Sequence, residues 1–328
     1  MIVPVCAAGP FGVLGSGPVF DQRRASAEES AAVTPPPVDR VTPLLQQRIK
    51  VVFRRLPKAL SGGEEDLHQM RVAGRRLRVA LPLLARKPAG KRVRRGLRAL
   101  RRLTRTGGLS RDLDVGVALF EEEIARAGLT PERRVLRGRL KAARTRSRAR
   151  MAEALLDLEI ARLRRDLRKV LRRGAEGFFA VLRRIREMRD AQGAEALAII
   201  AGLGDRFDPA ELHRLRRRVR RLRYAAELSG ALKGQPAPAA DEFRALQDRL
   251  GTLHDTYVLS EWFARQALTA GARAQAGVAA EATALRDHFL ETSRRQHREF
   301  LALPPAEAVT RALTTMGQPR PAASATTA

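Results

Sequence analysis

The stretch LHQMRVAGRRLRVA at residues 67–80 returns as LHRLRRRVRRLRYA at residues 212–225. The two stretches share eight of fourteen residues without a gap. About one helix later a second pair aligns at nearly the same offset, GLSRDLDV at 108–115 over GTLHDTYV at 251–258. Two matching blocks in the same order predict a duplicated unit.

The apolar residues of the first stretch recur at helical spacing. Leu67, Met70, Gly74 and Leu77 step by three and four, which predicts the buried seam of an amphipathic helix. Leu212, Leu215, Val219 and Leu222 repeat the seam in the second stretch. Both stretches are therefore expected to pack as core helices.

A cationic stripe runs parallel to each seam, one residue out of phase and so about 100° around the helix. Its members are His68, Arg71, Arg75 and Arg78 in the first copy and His213, Arg216, Arg220 and Arg223 in the second. A solvated face would intersperse acids, but none occurs within 68–78 or 213–223. Since like charges at this spacing destabilise a free helix, the stripes predict a binding face for an anion.

The helix after the first signature extends the basic surface of the first half. Arg94, Arg98 and Arg101 follow one another at spacings of four and three. The corresponding segment, Phe243 to Leu250, is much less basic. The two halves are therefore not expected to contribute equally.

Between the two ends of the chain, apolar residues recur almost throughout at helical spacing, with Gly or Pro at the breaks. No sustained alternation of apolar and polar residues indicates strands. We predict an all-α fold of two pseudo-symmetric antiparallel helical bundles, at 41–173 and 174–303, from an internal duplication. Disordered tails are predicted at 1–40 and 304–328. The predicted helices are 43–60, 64–86, 89–106, 111–127, 131–173, 175–200, 208–231, 238–251, 254–271 and 274–302.

The charge balance points to an anionic partner. The 328 residues include 63 Lys and Arg against 35 Asp and Glu, a formal net charge of +28. Few folded proteins carry such self-repulsion without a negative ligand. A bias toward Arg codons would exchange Lys for Arg but leave the net charge unchanged.

The remaining composition excludes several classes. A single cysteine, Cys6, permits neither an intramolecular disulfide nor a Cys-based metal site. No apolar run is long enough for a membrane span, so we expect a cytoplasmic protein with no membrane partner. Oligomeric state is left open.

No catalytic constellation is recognisable, and no enzyme activity, cofactor or metal is expected. There is no phosphate-binding glycine loop and no His-Glu-x-x-His. His68 and His213 lack acidic partners at helical spacing, so next to a bound polyanion they are expected to act as protonated donors. Asp112, Asp114 and Asp255 follow helix breaks, which favours helix capping and pairing with arginines over Mg²⁺ binding.

These residues together resemble the CHAD family, the conserved histidine α-helical domain. The similarity covers roughly 41–303 and rests on four features: the paired Leu-His-x-x-Arg-x-x-x-Arg-Arg-Leu-Arg helices, RDLDV at 111–115, RYAAEL at 223–228 and LQDRLG…HD at 246–255. No Glu-x-Glu-x-Lys strand of an attached CYTH-type triphosphatase occurs. The chain resembles a stand-alone CHAD protein.

The resemblance implies two bundles with a basic groove between them that binds inorganic polyphosphate, and recruitment to polyphosphate granules. By position, it implies binding by His68, Arg71, Arg75, Arg76 and Arg78 in the first half and by His213, Arg216, Arg220, Arg221 and Arg223 in the second. With Arg94, Arg98 and Arg101 of the following helix, these are the candidate polyphosphate-binding residues.

Two other functions stay open on the sequence alone. A nucleic-acid binder would use the same basic surface, although 4% aromatic residues offer little for base stacking. Weak nucleic-acid binding through phosphates is compatible with the charge. A regulator of a polyphosphate-metabolising enzyme is the second alternative.

Overall fold

A computed structural model of the protein describes residues 39–60 and 63–317. These residues form eleven helices and no strand. They are α1 (Val41–Leu60), α2 (Glu64–Leu84), α3 (Lys91–Thr106), α4 (Gly108–Ala127), α5 (Pro131–Leu156), α6 (Ile160–Arg172), α7 (Phe178–Gly202), α8 (Pro209–Lys233), α9 (Pro238–Gly271), α10 (Ala276–Leu301) and α11 (Pro305–Gly317). The all-α prediction is confirmed.

Helix starts follow local chemistry. Asp39 Oδ1 accepts hydrogen bonds from the backbone N–H groups of Val41 and Thr42, both at 3.0 Å, at the start of α1. Asp208 accepts from Ala210 and Glu211 at the start of α8, where Pro209 occupies the first turn. Such caps satisfy backbone donors that have no partner inside the helix.

Two helix boundaries differ from the predicted ones. The segment 131–173 is interrupted after Leu156, and the interruption lets α6 pack Leu163 and Leu167 into the core beside α3. Conversely, the predicted break near 252 is absent, and α9 runs for 34 residues through Gly251. A glycine inside a helix is tolerated where packing compensates for its backbone freedom.

The segment after residue 304 is helical, not the start of a disordered tail. Helix α11 buries Val309, Ala312 and Met316 against α7 and α9. A short Ala- and Thr-rich helix has little stability of its own, so tertiary packing accounts for its order. The predicted tail at 1–40 lies outside the described residues apart from Asp39 and Arg40, and so does 318–328.

The apolar core has two clusters, and each half of the chain contributes to both. The larger includes residues from α1 to α3, α6 to α8, α9 and α11; the smaller joins α4, α5, α9 and α10. Leu77 of α2 and Leu222 of α8 belong to the same large cluster. The predicted segments 41–173 and 174–303 therefore share their cores.

Helix contacts run in the same order along both halves. In the first half, α2 packs on α1 and α3, α3 on α6, and α4 on α5. In the second, α8 packs on α7 and α9, and α9 on α10 and α11. This order is what a duplicated unit would give; the duplication itself stays a prediction.

No helix within residues 39–60 and 63–317 combines the length and apolar character needed to cross a membrane.

Candidate functional site

The two signature helices pack against each other, and their cationic stripes meet. Arg75 of α2 lies close enough to Arg216 and Arg220 of α8 for their charges to affect one another. Arg101 of α3 is similarly close to Arg78 and Arg221. We define the central cluster as Arg71, Arg75, Arg78, Arg216, Arg220 and Arg221, with Arg101 at its edge.

Gly74 explains how α3 reaches this position. A Cβ atom at residue 74 would lie 2.8 Å from Thr104 Cγ2, closer than packed atoms approach, so the glycine lets α2 and α3 pack tightly. Thr104 Oγ1 then accepts a hydrogen bond from Arg78 Nη1 at 3.1 Å. Close packing thus orients Arg78 through a neutral partner and leaves its charge uncompensated.

Arg71 is almost fully buried, with 5% of its surface exposed, and passes over the α3–α4 junction. A Cβ atom at Gly107 would lie 2.9 Å from Arg71 Cδ. In the second half Arg216 lies over Gly251, with its Nη2 atom 3.6 Å from the Cβ position of that residue. The Nε atoms of both arginines are buried and have no hydrogen-bond partner among the described residues.

Burial and, after it, mutual repulsion disfavour the charged form of the central cluster. Burial, followed by the charge of Arg75, lowers the pKa of Arg71 to about 10. Burial and then Arg75 also hold the pKa of Arg220 well below its usual range. Since arginine stays charged at neutral pH, the free protein holds these cations against both burial and mutual repulsion, and an anion would relieve the repulsion.

Two carboxyl groups from equivalent positions of the halves lie among these arginines. Burial raises the pKa of Asp112, against the opposing effect of Arg71. Burial also raises the pKa of Asp255 to about 6, because desolvation outweighs the attraction of Arg216. The carboxylates therefore compensate the central cluster only in part.

Of the two roles predicted for the aspartates, helix capping is wrong, whereas pairing with an arginine is confirmed for Asp114. Gly107 precedes α4 without a side-chain cap, Asp112 and Asp114 lie inside that helix, and Asp255 lies within α9. Asp114 is buried and accepts a hydrogen bond from Arg148 Nη2 at 2.7 Å, as the predicted pairing with arginines requires. The sequence misled because its predicted helix starts were displaced.

The signature histidines are half-buried and favour the neutral form in the free protein. Burial and then Arg111 lower the pKa of His68, and burial and then Arg217 lower that of His213. The His213 ring centroid lies 4.8 Å from that of His254, whose pKa burial lowers to about 3. Protonation of His68 and His213 beside a bound polyanion stays a prediction.

Arg76 and Arg223 have a partner outside the cluster. Glu227 accepts from Arg76 Nε at 2.7 Å and Nη2 at 2.9 Å, and from Arg223 Nε at 3.2 Å. Both guanidinium groups also lie over the ring of Tyr224, at 5.7 and 5.8 Å from its centroid. This Glu227 clamp, defined by Arg76, Arg223, Tyr224 and Glu227, joins α2 to α8 and gives two predicted binding residues a structural role.

The α3 candidates lie at increasing distance along the helix from the cluster. Arg94 and Arg98 are exposed, and Arg94 Nη1 donates to the carbonyl oxygen of Ala89 at 2.6 Å. Arg98 lines a cleft of about 330 Å³ between α3 and α6. Of the three α3 candidates, only Arg101 reaches the edge of the central cluster.

Sequence reasoning missed two residues here, Arg111 and His254. Arg111 is close enough to His68 and Arg71 to affect their pKa values, and His254 contacts His213. Both occupy the same position of the second repeated block, in RDLDV and HDTYV. The alignment of these two blocks in the sequence was the signal that could have identified both residues.

Comparison with known proteins places the chain in a family. A model of the CHAD domain matches residues 43–264. In solved structures, the CHAD domain of the plant Ricinus communis is 21% identical with a TM-score of 0.55, covering 86% of this chain and 91% of that one. PptA from Streptomyces chartreusis is 18% identical with a TM-score of 0.60, covering 80% and 98%. Curated sequences gave no significant match. The chain belongs to the CHAD domain family.

Proposed function

We propose that this protein binds inorganic polyphosphate through the central cluster. The observation that carries the proposal is the meeting of six arginines from α2 and α8, with Asp112 and Asp255 as partial compensation. The CHAD family is associated with polyphosphate. A linear polyanion offers repeated oxyanions to such a row of guanidinium groups, which suit paired hydrogen bonds.

The groups around the central cluster favour polyphosphate over single-stranded nucleic acid. Tyr224, which flanks the cluster, is 6% exposed and already covered by Arg76 and Arg223. His213 packs against His254. Sequence-tolerant binding of single strands relies on aromatic rings that stack on bases, and neither group is available for that role.

Titration calorimetry with long-chain polyphosphate over a series of salt concentrations tests the proposal. Because neutralised phosphates release counterions, log K should fall linearly with log salt concentration, as it does for nucleic acids. Duplex DNA is added as competitor at equal phosphate concentration. Absence of measurable polyphosphate binding would reject the proposed function. Displacement of polyphosphate by the duplex would reject the preference for polyphosphate over DNA.

We also propose that the protein binds polyphosphate without turning it over and accumulates at polyphosphate granules. Purified protein with Mg²⁺ and polyphosphate should release no phosphate above a protein-free control. A fluorescent fusion should move to granules and stay diffuse in cells that lack the polymer. Phosphate release, or a granule signal independent of polymer, would contradict the respective proposal.

A further inference from the structure

The helices α3 and α6 form a second strongly basic surface. Helix α3 has eight cationic residues and no acid, and α6 has six cationic residues and one acid. That acid, Asp166, is buried and accepts two hydrogen bonds from Arg95, at 2.8 and 2.9 Å. The pair fixes α3 against α6 and leaves the other cations of both helices uncompensated by it.

A cleft runs between the two helices. Apolar residues, including Leu158 and Leu163, line the cleft together with Arg98 and Arg102. Arg162 also lines it and is paired with Glu159 at 2.8 Å. On α6 the exposed residues Arg165 and Lys169 follow Arg162 at spacings of three and four. They therefore share the side of α6 on which Arg162 faces the cleft.

This surface is continuous with the central cluster. Arg101 is close to Arg78 and Arg221, and it is adjacent on α3 to Arg102 and one turn from Arg98. Among the described residues, Arg98, Arg102, Arg165 and Lys169 have neither an ion pair nor a side-chain hydrogen bond. Cations thus lead around α3 from the cluster to α6, and repulsion along this path would be relieved by one continuous anion.

The second half offers no equivalent path. In α9, residues 238–250 contain two arginines and three acids, and α11 has one of each. Arg244 is paired with Asp241 at 3.1 Å. Of the two helix pairs, only α3–α6 therefore offers a favourable surface to a long polyanion that leaves the central cluster.

We propose that the α3–α6 surface is a second stretch of the polyphosphate path, so that long chains bind the central cluster and α3–α6 together whereas short chains fill the cluster alone. The proposal rests on the proposed function and adds a one-sided preference for chain length. A polyphosphate chain that continues from Arg101 to Arg102 and Arg162 is already bound at the central cluster. Its second contact is therefore intramolecular and has no further entropic cost of association.

The test compares tripolyphosphate with long-chain polyphosphate on three proteins. The surface variant replaces Arg102, Arg162, Arg165 and Lys169 by Gln. The control variant replaces four exposed arginines on α5, α10 and the turn between α9 and α10 by Gln: Arg134, Arg273, Arg294 and Arg295. Both variants lose the same formal charge.

We expect the surface variant to bind tripolyphosphate like the wild type and to lose at least tenfold in affinity for long chains. Its salt dependence for long chains should be shallower by roughly 3 in log–log slope, at about 0.7 per lost phosphate contact for a single strand. The control variant should keep both affinities within about twofold, as expected for surface charges distant from the ligand.

The outcomes separate the two proposals. If tripolyphosphate and long chains both fail to bind the wild type, the proposed function fails. If both bind but the surface and control variants respond alike, the second stretch is wrong while the proposed function stands. If a single-stranded or duplex oligonucleotide binds the wild type and loses affinity in the surface variant while long polyphosphate does not, the surface serves nucleic acid and the inference is overturned.

Discussion

The helix pair α3–α6 and the helix pair α9–α11 hold corresponding places and carry opposite charge. Helix α3 packs between α2 and α6, and α9 packs between α8 and α11. Both pairs bury apolar residues in the same large core, for example Leu100 of α3 and Phe243 of α9. Yet α3 exposes arginines where α9 exposes acids and alanine.

The difference shows which residues the packing of the core requires and which charged residues it does not require. Because α9–α11 closes its part of the core without a basic surface, the fold does not need the arginines of α3 and α6. Like charges on adjacent turns cost stability in a free helix. Their concentration in one half is therefore better explained by a ligand than by folding.

Among the changes that test this comparison, converting the exposed face of α3 to that of α9 should have the largest effect. At the offset that places Gly108 over Gly251, the exchange is Arg98→Asp, Arg102→Ala and Arg105→Asp. We expect roughly a hundredfold loss in long-chain affinity, since charged hydrogen bonds contribute about 1.5–3 kcal/mol each and exposure reduces that value. Calorimetry measures the affinity.

Thermal unfolding of the same variant is the control for folding. Its midpoint should stay within a few degrees of wild type, because the three positions are exposed. A loss of stability together with retained affinity would show that these arginines serve packing and would break the comparison.

The Glu227 clamp should behave in the opposite way. Glu227→Gln removes the charge that joins Arg76 and Arg223, and we expect it to lower the free energy of unfolding by about 1–3 kcal/mol. Polyphosphate affinity should change little or rise slightly, since the substitution removes a negative charge. Chemical denaturation checks the stability, and an affinity loss exceeding tenfold in a still-folded protein would contradict the structural role.

The reciprocal exchange sharpens the comparison. Asp241→Arg, Ala245→Arg and Asp248→Arg, all at exposed positions, give α9 the charges of α3. Long-chain affinity should rise several-fold while tripolyphosphate affinity changes less, because the new cations extend the path on the second side. Equal gains for both ligands would indicate only a general increase in net charge.

Because of the two carboxyl groups in the central cluster, we expect stability and polyphosphate affinity to depend on pH, with a smaller effect than that of the substitutions above. The folded-state pKa of Asp255 is raised to about 6 from 3.8, so ionisation of this group costs stability above pH 6 and that cost disappears as pH falls toward 4. Protonation also leaves the charges of Arg216, Arg71 and Arg111 less compensated. Polyphosphate affinity should therefore increase several-fold between pH 7.5 and pH 5.

The Asp255→Asn variant distinguishes the effect of this carboxyl group on affinity from the effects of the other titratable groups near it. Asp112 also has a raised pKa, and His68 and His213 have lowered values, so any proton these groups take up on binding acts in the same direction. The Asn variant should bind more tightly than wild type at pH 7.5 and be more stable there. Unchanged affinity at pH 7.5 would remove Asp255 from the account.

The sequence was sufficient for the fold class and for most members of the stripes, because seam and stripe are fixed by the same helical period. It did not show that Arg223 of the second stripe pairs with Glu227 while Arg221 joins the central cluster. Gly74 and Gly107 could not be interpreted in advance, since their roles lie in contacts with Thr104 and Arg71 from other positions of the chain. The pairing of Arg76 with Glu227 is equally non-local, spanning 151 residues.

Charge asymmetry was visible in the sequence, but its meaning was not. The weakly basic segment near Phe243 indicated unequal halves, whereas the contribution of α6 required knowledge that α6 packs on α3. Predicting one helix over 131–173 concealed that contact. The order of α11 was also beyond a composition argument, since it depends on packing against α7 and α9.

The most direct test of polyphosphate binding by the central cluster is a paired measurement on one variant. Replacing Arg75, Arg78, Arg220 and Arg221 by Gln removes cations that repel each other in the free protein. Calorimetry should show a loss of polyphosphate affinity of at least about a hundredfold, at about 1.5–3 kcal/mol per charged hydrogen bond. Thermal unfolding of the free variant should show unchanged or increased stability. Retained affinity in the folded variant would contradict the account.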